Sequence, residues 1–237
     1  MDAAGYEAAV AEVEANPDAY WTKVANRLDW SKPFTQVKDV SFNKDDFRIR
    51  WFADGELNVS VNCLDRHIAK RGDQTAILWE SDDGQMARFT YKEALAEVCR
   101  IANVLKVKGV KKGDRVTIYL PMIPAAAFCM LACARIGAIH SVIFGGFSPD
   151  SIAGRIQDCD SRIVITADEG LRGGKIVPLK RNVDEALKSC PQVTDVIVVR
   201  RTKADVPMTQ GRDAFLSDLK QGVSDVCDPE PMNAEDP

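Results

Sequence analysis

Residues 115–180 read RVTIYLPMIPAAAFCMLACARIGAIHSVIFGGFSPDSIAGRIQDCDSRIVITADEGLRGGKIVPLK. Short apolar runs rich in β-branched residues lie at 115–120, 139–144 and 162–166, and a fourth follows at 195–199. Helix-length segments at about 124–136, 149–159 and 179–189 separate them. Branched side chains suit the pleated surface of a strand, and near-continuous apolar runs suit strands covered on both faces. Strands that alternate with helices join in parallel through right-handed crossovers. The expected fold class is therefore α/β, a parallel sheet with flanking helices.

Toward the N-terminus, Thr90 and Glu93 form a capping box for a helix whose apolar positions Ala94, Leu95, Val98, Ile101, Ala102 and Leu105 recur at helical spacing; Gly109 ends it. Residues 76–80 and 88–91 flank the turn Asp82-Asp83-Gly84 and read as a hairpin. Asn58 is placed to cap a helix through Ala69, ended by Gly72. Residues 1–58 are less regular. Helix candidates at 5–15 and 18–28 surround Asn16-Pro17, and DWSKPFTQVKDVSFNKDDFRIRWF (29–52) carries many aromatics without a sustained period. This part reads as a helical and irregular extension, either an aromatic arm laid on a neighbouring domain or a self-contained cap. Beyond the fourth strand, 213–220 reads as a helix and CDPEPMNAEDP (227–237) as an acidic coil.

The 237 residues fit one large domain or one and a half, and 46% hydrophobic with 28% charged residues suffices to bury a core. A net charge of −4 argues against a broad nucleic-acid surface. The short basic clusters (Lys108, Lys111, Lys112; Arg200, Arg201, Lys203) read as solvated turns. The N-terminus lacks the apolar core of a secretory leader. The longest near-apolar run, 120–134, is shorter than the roughly 20 residues a membrane span needs, so no membrane role is expected. Seven cysteines without a C-x-x-C pair fit reduced thiols of a cytoplasmic protein. Cys129 with Cys133, and Cys63 with His67, are four apart, but no further ligand pair lies nearby, and buried core thiols are the simpler reading.

In an open parallel sheet, ligands bind beyond the carboxyl ends of the strands. Two glycine-bearing loops are expected there. Gly145 and Gly146 follow Phe144, and without Cβ atoms they let the backbone approach a flat or bulky ligand. Ser148 or Asp150 caps the helix after them. Spacing alone favours an ordinary βα turn here. The second loop, Asp168 to Lys175, sets Arg172 and Lys175 about Gly173 and Gly174. A planar fork and a point charge beside exposed N–H groups suit a phosphate; a solvated loop in which the cations offset Asp168 and Glu169 is the other reading. His140 lies in an apolar run with no carboxylate partner in sequence, His67 lies on a helix beside Arg66, and both read as structural.

Five segments carry a family resemblance: YWTKVANRLDWSKPFTQVKDVSF (20–42), WFADGELNVSVNCLDRHI (51–68), YLPMIPAAAFCMLACARIGAIHSVIFGGFSPDSIAGRI (119–156), VITADEGLRGGKIVPLKRNVDEAL (164–187) and MNAEDP (232–237). On these the chain resembles the AMP-forming acetyl-CoA synthetases of the acyl-adenylate-forming superfamily along nearly its whole length. The resemblance implies a parent reaction in which acetate and MgATP give acetyl-adenylate, which CoA then attacks. It implies that Phe144, Gly145 and Gly146 lie against the CoA adenine. Arg172, Gly173, Gly174 and Lys175 would hold the CoA phosphates, chiefly the 3′-phosphate. Many family members have arginine where this chain has Lys175, so a weaker clamp is expected.

The resemblance divides the chain at 58/59, into the extension of these synthetases and the first α/β part of the AMP-binding domain. On this reading the sequence stops before the ATP phosphate loop. The ATP, Mg²⁺ and acetate sites and the catalytic lysine lie outside it, the other domains of the enzyme are its partners, and the chain by itself is inactive. Two other readings stand beside this one: a non-catalytic module that binds CoA or another nucleotide, and a ligase for another short acid such as propionate.

Overall fold

The structure, a computed structural model, describes residues 2–237. It opens with α1 (Ala3–Ala15) and α2 (Pro17–Ala25). The Asp2 carboxylate accepts from the Gly5 N–H at 2.8 Å, and the Asn16 side chain accepts from the Ala19 N–H at 3.0 Å. Pro17 suits the first helical position, where its missing N–H leaves nothing unpaired. The aromatic-rich segment that follows is not irregular. It forms an antiparallel hairpin, β1 (Lys38–Asn43) and β2 (Asp46–Trp51), with Val40 opposite Ile49 and Phe42 opposite Phe47. These four side chains share one exposed face.

After β3 (Glu56–Leu57), the helix expected from Asn58 begins as a wide π turn, Val61–Asp65, and continues as α3 (Arg66–Arg71). Asn58 does more than cap. Its Oδ1 accepts from the Ser60 N–H at 2.9 Å, while its Nδ2 donates to the carbonyls of Ala134 (2.9 Å) and Glu230 (2.9 Å). β4 (Thr75–Glu80) and β5 (Met86–Thr90) pair antiparallel, and Gly84 takes a φ of +77° in their turn. α4 (Tyr91–Val107) starts at the Thr90–Glu93 capping box. Gly109, at φ +85°, redirects the chain after it.

Next come β6 (Arg115–Leu120), α5 (Pro124–Arg135), β7 (Ile139–Phe144), α6 (Pro149–Cys159), β8 (Ile163–Ala167), β9 (Gly170–Arg172), β10 (Lys175–Val177) and α7 (Leu179–Ala186). β11 (Asp195–Val199), β12 (Asp213–Phe215), α8 (Leu216–Leu219) and β13 (Met232–Asn233) complete the chain. The main sheet is five-stranded, ordered β12-β11-β8-β6-β7, and every neighbouring pair is parallel. The α/β expectation holds. β8 is buried at every position, and Val98, Ile101 and Leu105 of α4 belong to the same core. Removing each such side chain from water stabilises by about 1.5–3 kcal/mol.

Two expectations near the C-terminus are corrected. Residues 213–220 do not form one helix: Asp213–Phe215 add a strand to β11, and only Leu216–Leu219 are helical. The acidic tail is not free coil. β13 pairs antiparallel with β3, and the Glu230 N–H donates to the Arg135 carbonyl at 2.7 Å. Among the described residues no helix is long and apolar enough to cross a membrane.

The cysteines are free thiols. Burial pushes the Cys129 thiol up to about 12 and raises Cys133 as well. The thiolate is the reactive form. Cys129 and Cys133 are therefore expected to resist iodoacetamide at pH 8 in the folded chain and to react once urea unfolds it, read by peptide mass spectrometry. Labelling of both at the rate of a free thiol in the folded chain would contradict their burial.

Candidate functional site

Numbered along the chain, the five sheet strands run 2-1-3-4-5 from the β7 edge. The order reverses at β6, where the crossovers to β7 and β8 leave in opposite directions. A crevice beyond the carboxyl ends is expected at such a switch point, and one is present. Its volume is about 310 Å³, and Trp79, Pro121, Phe144, Gly145, Arg172 and Arg201 line it.

Phe144 ends β7, directly opposite Leu120 at the end of β6. A Cβ on Gly145 would lie 3.1 Å from the Leu120 carbonyl oxygen, so the bare backbone lets this turn pack on β6. A Cβ on Gly146 would lie 2.8 Å from Nη1 of Arg172 and 3.2 Å from Cε1 of Phe144. The Arg172 guanidinium carbon sits 4.9 Å from the Phe144 ring centroid, within cation–π range. The structure thus gathers Phe144, Gly145, Gly146 and Arg172 in one place. The space over Gly146 expected for a flat ligand is held by the guanidinium itself.

The segment expected as an open loop is a β-hairpin, β9–β10, paired with no larger sheet. Gly173 (φ +56°) and Gly174 (φ +73°) form its two-residue turn. Both positions need positive φ, which glycine adopts without steric cost; turn geometry alone requires these glycines. The Gly173 N–H is not free, because it donates to Oδ2 of Asp82 at 2.7 Å. The register sets Arg172 directly opposite Lys175. Like charges in that relation destabilise a strand pair. The cations of Arg135, Lys180 and Arg201 are each matched by carboxylates. Among the described residues Arg172 and Lys175 make no ion pair, and Arg172 rests on a ring instead. An anion between the two would relieve their repulsion.

Behind this pair lies a support that the sequence reading missed. Asp168 is not the solvated acid of an open loop, because it is only 1% exposed. Its Oδ1 accepts from the N–H groups of Glu169 (2.7 Å), Arg201 (2.8 Å) and Thr202 (3.2 Å), and its Oδ2 from Lys203 (2.8 Å). That carboxylate organises the loop after β11. Arg201 does not belong to a solvated cluster: its side chain is buried, bonds Ser81 and Asp83 and lies 5.3 Å over the Trp79 ring. The β4–β5 turn is thereby tied to the loop after β11. An acid at the carboxyl end of a largely apolar strand was the available signal for Asp168; nothing local marked Arg201.

A larger cavity of about 900 Å³ opens at the other end of the sheet, where Ile139 and His140 begin β7 and Trp21, Trp30 and Phe52 pack. His67 also lines it and meets the Tyr91 ring at 5.2 Å. It lies at the amino end of β7, away from Arg172 and Lys175. Among the described residues no group of three His, Cys, Asp or Glu side chains could hold a metal ion.

A family model described as AMP-binding enzyme matches residues 64–237, and one described as the acetyl-coenzyme A synthetase N-terminus matches residues 6–63. The chain belongs to the AMP-binding enzyme family. Among members of this family, acetyl-coenzyme A synthetase of Caulobacter vibrioides is 63% identical over the whole chain, which covers 37% of that protein. The Novosphingobium aromaticivorans acetyl-coenzyme A synthetase is 59% identical, again over the whole chain and 37% of its own length. The chain thus spans about a third of the length of the curated relatives it matches. Among solved structures, acetoacetyl-CoA synthetase from Streptomyces lividans superposes with a TM-score of 0.83 at 25% identity, covering 94% of this chain and 34% of that one. That likeness places the parallel sheet and its helices in an adenylate-forming fold.

Proposed function

We propose that this chain is the part of an acetate–CoA ligase that supplies the CoA-nucleotide subsite. The parent enzyme would make acetyl-CoA from acetate, ATP and CoA through an acetyl-adenylate, in the cytoplasm. Residues 1–58 would be its N-terminal extension and 59–237 the first α/β part of its AMP-binding domain. ATP and Mg²⁺ would be held by other parts of that enzyme. The observation that carries the reading is Arg172, which lines the switch-point crevice beside an exposed Phe144 ring, stands opposite Lys175 in the hairpin and, like it, forms no ion pair.

The chemistry follows from the groups present. A purine is flat and stacks on an aromatic ring or on a guanidinium plane. Laid over Phe144, it either covers the outer face of Arg172 or displaces it. In both cases the guanidinium N–H groups and the Lys175 ammonium face outward together, which suits a ribose 3′-phosphate. Charge-assisted contacts of this kind contribute about 1.5–3 kcal/mol each.

Calorimetric titration with CoA and with 3′-dephospho-CoA tests the reading. The chain is expected to prefer CoA by roughly tenfold or more, and Arg172→Ala is expected to abolish the preference. Lys175→Arg is expected to strengthen CoA binding a few-fold, because it restores a fork in place of a point charge. Equal binding of the two nucleotides by the parent chain overturns the proposal.

A further inference from the structure

We propose that Asp82 is a positioning residue for the Arg172–Lys175 clamp. The inference rests on the nucleotide reading above and deepens it. The β9–β10 hairpin is short, with three residues in each strand, and it joins no larger sheet. Isolated two-stranded hairpins are marginal in water. Two successive glycines at its turn raise the conformational entropy lost on ordering it. At its base Gly170 packs on Pro121 and Leu179, but Ile176, one rung nearer the turn, is exposed. Among the described residues, the hydrogen bond from the Gly173 N–H to Asp82 is the one polar tie between the turn and the rest of the chain.

Asp82 is itself well placed to act as an anchor. It lies in the β4–β5 turn, closed by hydrogen bonds from the Gly84 N–H to the Ser81 carbonyl (2.8 Å) and from the Ser81 N–H to the Gln85 carbonyl (2.9 Å). Arg201 grips the residues on either side, Ser81 and Asp83, and the Arg201 N–H is held in turn by Asp168. One line of contacts therefore runs from the buried Asp168, through Arg201 and the β4–β5 turn, to the N–H between the two clamp residues. The placement has a cost: a carboxylate beside the cations lowers the positive potential an anion meets. A merely electrostatic Asp82 would thus weaken phosphate binding, whereas a positioning Asp82 strengthens it. The two roles predict opposite signs.

The test compares Asp82→Ala, which removes acceptor and charge, with Asp82→Asn, which keeps an oxygen acceptor for Gly173 and removes the charge. The first readout is amide hydrogen exchange at Gly173, by NMR, in the 237-residue chain without nucleotide. Loss of a charge-assisted hydrogen bond is expected to speed this exchange about tenfold in Asp82→Ala, with most of the protection retained in Asp82→Asn. The second readout is the CoA over 3′-dephospho-CoA affinity ratio. It is expected to fall several-fold in the alanine variant and to be kept or raised in the asparagine variant, while dephospho-CoA affinity is unchanged.

Unchanged Gly173 exchange in Asp82→Ala overturns the proposal. So does faster exchange with an undiminished or increased CoA ratio, which would make Asp82 only a repelling charge. If the parent chain shows no CoA preference, the nucleotide reading falls and the clamp role of Asp82 with it. In that case the exchange measurement still decides whether Asp82 sets the hairpin.

Discussion

Replacing Arg135 by alanine is expected to lower the unfolding free energy by about 3–5 kcal/mol and the melting temperature by roughly 10 °C. Arg135 closes α5 and is only 4% exposed. Its Nη1 and Nη2 each donate to an Asp65 oxygen at 2.9 Å, its Nε donates to the Cys227 carbonyl at 2.6 Å, and Ser60 Oγ lies 3.3 Å from Nη1. One guanidinium thus joins the turn before α3, the end of α5 and the C-terminal tail. Alanine leaves a carboxylate and a buried carbonyl without their donor, and unmade partners cost more than made ones contribute. Lysine is expected to restore less than half of the loss, because one ammonium cannot reproduce the fork on Asp65 and the contact with Cys227. Urea and thermal melts followed by circular dichroism read both effects. A melting temperature for Arg135→Ala within 1 °C of the parent would show that the three segments are held by other contacts.

The second large effect is expected at Lys180 and Asp213, whose side chains are both 0% exposed and lie 2.8 Å apart. Lys180 also pairs with Asp184 at 2.7 Å and donates to the Pro207 carbonyl at 2.9 Å, and Arg212 reaches Asp184 at 2.7 Å. Two cations and two carboxylates thereby pin β12 against α7. Burial pushes the Asp213 carboxyl up, but the hydrogen bonds from Arg212 and Lys180 outweigh it and hold the group below the ordinary carboxylate range. A depressed folded-state value means stability that is fully present above the unfolded value of about 3.9 and lost as pH falls through the folded one. Asp213→Asn is therefore expected to destabilise by about 3–5 kcal/mol at pH 7. The gap between parent and variant should narrow as pH drops below about 4. Urea midpoints at pH 7, 5, 4 and 3 test this. A gap independent of pH would mean that the lost contact is not ionic.

How far the fold could be read from the sequence varied with the range of the forces involved. The parallel strands, the helices between them and the Thr90–Glu93 cap follow from local pattern, and the structure shows each of them. The β1–β2 hairpin was legible too: Val40 and Phe42 alternate with Asp39 and Ser41, and Phe47, Ile49 and Trp51 with Arg48 and Arg50. The density of aromatics there obscured the period of two. The strand at Asp213–Phe215 was not legible. Its residues look helical in isolation, and the ion cluster with Lys180 and Asp184 sets them beside β11.

The candidate site divides the same way. Carboxyl-end loops, paired glycines and two flanking cations were visible as a pattern, and the resemblance to acetyl-CoA synthetases rests on long matched segments. The sequence by itself therefore determined the fold class and the family, and it nominated the candidate residues from Phe144 to Lys175. Only the tertiary structure decided which cations are available. Arg172 and Arg201 are the same residue type, each near the end of a strand, yet Arg201 is buried against Asp83 and Trp79 while Arg172 faces Lys175 and forms no ion pair. Spacing along the chain carries hydrophobic periodicity and turn chemistry because these act between near neighbours. Charge compensation acts through space, between groups more than a hundred residues apart, so it becomes defined only once the chain has folded.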